Sequence, residues 1–272
     1  MIEKQITICA DDFGQNQSID EGILELVKLK RLQAVTVFTE STGWKLRASQ
    51  LKAFEQNIDI GVHLNLTQHF LNSSKKYGLG ELLLRSHLGL ISLETIKNDF
   101  RRQIELYIAK MHRLPTFLDG HQHVHAFPVI NQALKEVIVE FWGDKPTLYV
   151  RDTSKLSVNS DGFLFKKLIL KISCEGLFKK MAAIGVNTTQ AFTGVYNFSP
   201  NANYAELVQS WFRESHHHSL MMCHPGSAQK SEDDPLYQAR LNEFNYLSSD
   251  NFLIDCNSMK VKLVRYSEII RA

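Results

Sequence analysis

The sequence predicts an α/β fold: a distorted (β/α) barrel of parallel strands, folded as a single domain over residues 1–272. Three observations point there. Short β-type runs alternate with longer helical stretches, and that alternation implies parallel strands joined by right-handed crossovers. The unit recurs at least seven times, which favours a closed barrel over an open doubly wound sheet. No Pro- or Gly-rich linker and no shift in composition divides the chain, whose length suits one α/β barrel.

Taken in order, Ile6–Ala10 is the first strand. A helix follows from about Ile19 to Lys30, with Ser18 and Glu21 at capping-box spacing and Ile23, Leu26, Val27 and Leu29 as its apolar positions. Ala34–Phe38 is β-branched and apolar, Trp44–Phe54 helical, and Ile58–Leu66 the third strand. Thr67–Ile91 is irregular and long enough for a lid or binding loop. A helix over Leu93–Met111 precedes a strand at Thr116–Leu118, a helix at Pro128–Phe141 and a strand at Thr147–Val150. Asp161–Met181 is mostly helical, Thr188–Phe192 a short strand, Tyr204–Arg213 a helix and Leu220–Cys223 a strand. The helix Pro235–Leu247 is preceded by Asp233 and Asp234; Phe252–Asp255 and Val261–Val264 close the chain.

Composition narrows the function. The formal charge of +2 argues against a nucleic-acid binder that relies on a basic field. No uncharged apolar stretch reaches the ~18 residues of a membrane span, and Met1–Ala10 lacks the apolar core and cleavage site of a signal peptide. The default expectation is the cytoplasm. Cys9, Cys174, Cys223 and Cys256 are far apart, with no C-x-x-C, and read as buried free thiols.

Polar residues gather just past the strand ends: Asp11-Asp12-Phe13-Gly14, His63-Leu64-Asn65, Asp119-Gly120-His121-Gln122-His123-Val124-His125, Arg151-Asp152 and His224-Pro225-Gly226. In a parallel barrel those ends share the face that carries active sites. Each cluster also has a plainer explanation. Aspartates favour turns and helix entries, His224-Pro225-Gly226 suits a turn, and Arg151 suits an ion pair with Asp119 or Asp152. Two adjacent carboxylates at one strand tip nevertheless repel unless a cation or proton is shared. His121, His123 and His125 are the strongest signal, since imidazole is the commonest metal ligand. An extended segment would point all three one way, whereas a turn would separate them. By contrast His216, His217 and His218 lie before a strand, at the opposite end, and His69, His87 and His112 have no supporting context. An Asp and two His from separate strand tips, such as Asp12, His63 and His125, make a site with open positions, too widely spaced for a zinc-finger staple.

ADDFG with its following N-x-x-I-D-x-G-I, GVHLNLT, FLDGHQHVHAFP, VR and MCHPG together resemble the YdjC-like carbohydrate deacetylase family, which includes chitooligosaccharide deacetylases and deacetylases associated with hopanoid biosynthesis. The resemblance runs in order from residue 6 to about residue 247. It implies a distorted (β/α) barrel, one divalent metal ion (Mg2+ or Zn2+), and hydrolysis of the N-acetyl group of an amino sugar. It also implies Asp12, His63 and His125 as metal ligands, Asp11 as general base and His224 as general acid. Many relatives carry a serine and a histidine where this chain has Gly120 and Gln122, so contacts behind the ligands are expected to differ. Arg151, Asp119, His121, Phe13 and Phe127 are expected on the substrate side or behind the ligands, with the 67–91 loop beside them.

In the mechanism so implied, Asp11 takes a proton from the attacking water and His224 supplies one to the departing amine. The expected partner is an acetylated amino sugar, with no nucleic acid, no membrane span and room for a homodimer. Two other classes remain in play. A metal-dependent phosphoesterase would need two metals or a cationic phosphate clamp and would release phosphate in place of acetate. A non-catalytic sugar-binding protein would not need Asp11.

Overall fold

The computed structural model describes residues 3–71, 73–74, 76–156, 174, 176–215, 217–229 and 234–271. Its strands are β1 (Lys4–Phe13), β2 (Ala34–Val37), β3 (Asp59–Leu64), β4 (Phe117–Gly120), β5 (Tyr149–Val150), β6 (Asn187–Thr188), β7 (Ala191–Thr193), β8 (Ser219–Cys223) and β9 (Val261–Leu263). All lie in one sheet of order β6-β5-β4-β3-β2-β1-β8-β7, with β9 paired to β1. Every pairing is parallel. The two ends of that order, β6 and β7, are separated in sequence only by Thr189 and Gln190. Two residues of chain span at most about 10 Å, so the sheet must curl until its edges meet. A parallel bridge between Leu156 and Phe192 spans the seam. The expected parallel α/β barrel is present, distorted by incomplete closure.

The central strands are buried on both faces, as expected where helices cover the outside and side chains fill the inside. Ile6, Ile8, Val35, Val37, Ile60 and Val62 belong to the main core under the helices. Cys9, Ala34, Phe117, Tyr149, Phe192 and Leu220 form a second cluster, in which Phe117 stacks on Tyr149 at 4.9 Å. Gly61 is needed beside it, because a Cβ there would sit 2.7 Å from the Phe117 ring. Among the helices, Leu93–Met111 shows why local sequence and packing agree. Ser92 accepts a hydrogen bond from the Thr95 N–H, and Ile96, Phe100, Ile104, Tyr107 and Met111 line the buried face.

Several elements differ from expectation. The first helix, Gln17–Lys28, is capped by Asn16, whose side chain accepts from the Ile19 N–H, while the Ser18 hydroxyl donates to the Ser227 carbonyl. The stretch 67–91 contains a helix at Leu79–His87. Thr188–Phe192 is divided between β6 and β7. Phe252–Asp255 is part of the helix Asp250–Ser258, because the apolar run packs Phe252 against Phe212 and Tyr246 rather than into the sheet. Most of the helix expected over Asp161–Met181 lies outside the described residues, which show helix at Leu177–Ala182. No described helix is long and apolar enough to cross a membrane.

Candidate active site

The first site residues come from an irregularity in β1. Cys9 and Ala10 pair with Ala34 and Val35, but the next partners are Phe13 and Val37, so β1 carries one residue more than β2 between them. This bulge holds Asp11 and Asp12. Bulges re-aim side chains, and Asp12 adopts the left-handed backbone, φ 71°, that few non-glycine residues tolerate. Neighbouring carboxylates that would point to opposite faces of a regular strand are thereby both brought to one cleft.

Asp12 faces histidine. Its Oδ1 lies 3.6 Å from His63 Nε2 and 3.4 Å from His121 Nδ1, is buried, and has no hydrogen-bond partner. Its Oδ2 accepts from Arg240 Nη2 at 2.8 Å. Burial alone would raise this carboxyl, but Arg240 and His121 outweigh it and hold it well below the usual carboxylate range.

Asp11 faces arginine. Arg151, fully buried, donates to both its oxygens at 2.6 Å. Burial raises the Asp11 carboxyl, but the guanidinium overcomes that and brings it down to about 2. Arg151 Nη2 also lies 2.7 Å from Asp119 Oδ2. The strand register sets Asp119 beside His63, so Asp119 Oδ1 meets His63 Nδ1 at 2.8 Å while accepting from the Thr36 hydroxyl at 2.7 Å. That contact leaves His63 Nε2 free toward Asp12. Burial lowers the His63 pKa, yet the surrounding aspartates, Asp119 above all, raise it on balance.

Asp12, His63 and His121 offer ligand atoms all within 4.8 Å of one another. One carboxylate oxygen, buried and without a hydrogen-bond partner, and two imidazole nitrogens suit a divalent cation with coordination positions to spare. The third residue differs from the expected His125. After Gly120 the chain leaves the extended path: Gln122 and His123 have φ of 52° and 62° within a turn of 3-10 helix, His121–Ala126. The alternation that would have aligned three histidines is lost, and only His121, next to the strand tip, points at Asp12. His125 folds back against Gly120, where an added Cβ would meet its Nδ1 at 3.0 Å, and its Nε2 bonds the Arg151 carbonyl at 2.8 Å. Burial lowers the His125 pKa to about 4.

His224 closes the site from β8, its Nε2 3.8 Å from Asp11 Oδ2. Burial lowers it to about 4, so the resting imidazole is neutral near pH 7. A cleft of about 470 Å3 opens over Asp11, Asp12, His63, His121, His123 and His224. Of the five residues expected on the substrate side or behind the ligands, only His121 lines it. Arg151 and Asp119 lie beneath, fully buried. Phe13 is in the core, edge-on to Trp44 at 6.5 Å, and Phe127 is likewise buried. The 67–91 stretch contributes Gln68.

Two residues that matter here have no strand-tip signal. Arg240 and Glu243 belong to the helix Tyr237–Ser248 and share its buried face with Ala239, Tyr246 and Leu247. Charges on an otherwise apolar stripe were the available hint. Arg240 Nε lies 3.0 Å from Asp234 and its Nη1 donates to the His224 carbonyl. Glu243 accepts from the His224 N–H at 2.5 Å and from the Tyr196 hydroxyl at 2.7 Å.

Residues 5–258 match the family described as YdjC-like protein. The chain belongs to the YdjC-like family. Among the relatives of this YdjC-like chain, a Xenopus laevis protein named carbohydrate deacetylase is 28% identical over 149 residues, covering 50% of this chain and 48% of that one. A Serratia marcescens chitooligosaccharide deacetylase is 28% identical over 137 residues, 47% of this chain and 53% of that one. The YdjC-like chain thus spans about half the length of the curated relatives it matches. An Enterococcus faecalis V583 protein, provisionally named for cellobiose-phosphate cleavage, superposes with TM-score 0.69 at 18% identity over 98% of this chain and 99% of its own. A family 4 acetyl xylan esterase from Clostridium thermocellum, solved with a cobalt ion, gives TM-score 0.53 at 10% identity, covering 98% and 91%. At these identities the shared property is the fold.

Proposed function

We propose that this YdjC-like protein is a metal-dependent hydrolase that removes the N-acetyl group from an N-acetylated amino sugar, releasing acetate. The observation that carries the reading is the division of labour between Asp11 and Asp12. One carboxylate is turned to two imidazoles; the other is held ionised by a buried arginine, 3.8 Å from a third imidazole. The deacetylase names of the relatives agree with it.

Asp12, His63 and His121 would hold a divalent cation, which when bound would supply Lewis-acid polarisation of the acetyl carbonyl and make water a better nucleophile. The protein's own groups do the rest. Arg151 fixes both oxygens of Asp11 and keeps it ionised, so Asp11 accepts the proton of the attacking water. His224 Nε2 is the next base along and, neutral at rest, has room for that proton. From there the proton goes to the amide nitrogen, which leaves as an amine while the water oxygen leaves in acetate. Asp119 keeps the His63 ring oriented, and Glu243 holds the backbone of His224. The test is a mass-spectrometric screen of acetylated amino sugars and chitooligosaccharides for loss of one acetyl group, with acetate measured in parallel. Acetate release that needs a divalent cation and vanishes in Asp11→Asn is expected. Phosphate release from phosphorylated substrates without any loss of acetyl would overturn the reading.

A further inference from the structure

From residues 194–203, which join β7 to the helix Tyr204–Glu214, Phe198 reaches the cleft. Among the described residues, Phe198 is the one phenyl, phenol or indole ring lining the cleft. It is half-buried, and its ring stands edge-on to His224 at 5.0 Å and tilted on Tyr196 at 4.5 Å. Its backbone is left-handed, φ 54°, a conformation that costs a bulky residue about 1–2 kcal/mol and glycine almost nothing. The segment enforces it: Asn197 Oδ1 accepts from the Ser199 N–H at 3.0 Å, and the Tyr196 hydroxyl is tied to Glu243. What the position gains from phenylalanine is therefore the ring, placed at the cleft.

The rest of the lining completes a pattern. Gln15, Gln68 and Gln122 bring neutral amides to the cleft, and Gln15 Oε1 is buried without a hydrogen-bond partner. A pyranose has this chemistry in reverse: an apolar C–H face bounded by hydroxyl donors and acceptors. Resting on the sugar-amide reading above, we propose that Phe198 is the platform that receives the apolar face of the sugar ring. Gln15 Oε1 accepts from one of its hydroxyls. The acetamido group is thereby set over Asp11, and amides without a ring are selected against.

The experiment compares two amides that make the same demand on the proton machinery, N,N′-diacetylchitobiose and N-acetylethanolamine. In Phe198→Ala, KM for the disaccharide should rise about tenfold, a loss of roughly 1.4 kcal/mol, with kcat within about twofold. N-Acetylethanolamine should be hydrolysed as before, and Phe198→Trp should restore the disaccharide. An equal loss on both amides would mean that the ring acts only through His224, and the proposal falls. Equilibrium binding of N,N′-diacetylchitobiose in an Asp11→Asn background provides the second arm. About tenfold weaker binding on adding Phe198→Ala supports the platform even if no acetyl is ever released, in which case the hydrolase reading alone fails. Unchanged affinity overturns the platform.

Discussion

Arg240 Nη2 lies 2.8 Å from Asp12 Oδ2, the carboxylate oxygen turned away from the histidines. The arginine thereby fixes the rotation of the one carboxylate in the candidate cation site, and its Nη1 contact ties the same side chain to the carbonyl of His224. Replacing it by Gln removes both constraints. Loss of such a supporting group typically costs 10–100-fold, so kcat/KM in Arg240→Gln should drop by about that factor, with Arg240→Lys in between. Steady-state kinetics checks this, and full activity in Arg240→Gln would dismiss the link.

The turn that separates His121 from His125 separates two mutants. His121→Ala should weaken Zn2+ or Co2+ binding by at least about 100-fold, because a direct ligand is lost. His125→Ala should bind metal nearly as the parent does, yet melt lower, since it leaves a buried cavity and an unpaired Arg151 carbonyl. Calorimetric metal titration with thermal melts reads both. The reverse pattern would put His125 in the site and His121 outside it.

Asp11→Asn should retain metal affinity while losing at least about 1,000-fold in turnover, because an amide cannot take the water proton. It should also cost stability. Arg151 is fully buried, and halving its carboxylate partners strands part of a buried charge, an effect of about 3 kcal/mol. Denaturant unfolding beside single-turnover kinetics would separate the two effects. Comparable metal loss in Asp11→Asn and Asp12→Asn would make Asp11 a ligand.

The stability of the protein should depend on pH through His125. Its folded-state pKa of about 4 lies below the ordinary 6.5, so between those values the unfolded chain binds more protons than the folded one. The stabilisation from the neutral buried ring is complete above about pH 6.5 and is lost as pH falls toward 4. In His125→Gln, which keeps a donor for the Arg151 carbonyl, the melting temperature should fall less steeply over that range. Parallel curves for parent and mutant would show that other groups carry the acid limb.

Much of this was legible because a parallel barrel converts sequence position into spatial position. A polar residue just past an apolar run is expected on one face of the barrel, and Asp11, Asp12, His63 and His224 do line one cleft. For the third ligand position the same logic favoured His125, whereas His121 is the imidazole that lies beside Asp12 and His63. Left-handed turns are written plainly only in glycine, and here Gln122 and His123 adopt them under tertiary constraint. Phe13 and Phe127 are buried and do not line the cleft, because adjacency to a strand tip does not say which side of the sheet a ring takes. Arg240 was missed for a different reason: its place on an apolar stripe was the one hint, and charges on a helix otherwise read as a wet face until a buried carboxylate elsewhere claims them.

β1 pairs with β2, but also with β8 and β9 near the far end of the chain. The strand that carries both aspartates thus sits at the middle of the sheet and at the start of the sequence. As the chain grows from its N-terminus, β1 has only one flank satisfied until residues beyond Ser219 exist. Such long-range pairing makes for slow folding. The bulge that brings Asp11 and Asp12 to one cleft is flanked on its second side only when β8 arrives, so an incompletely made chain exposes a sheet edge but no complete centre.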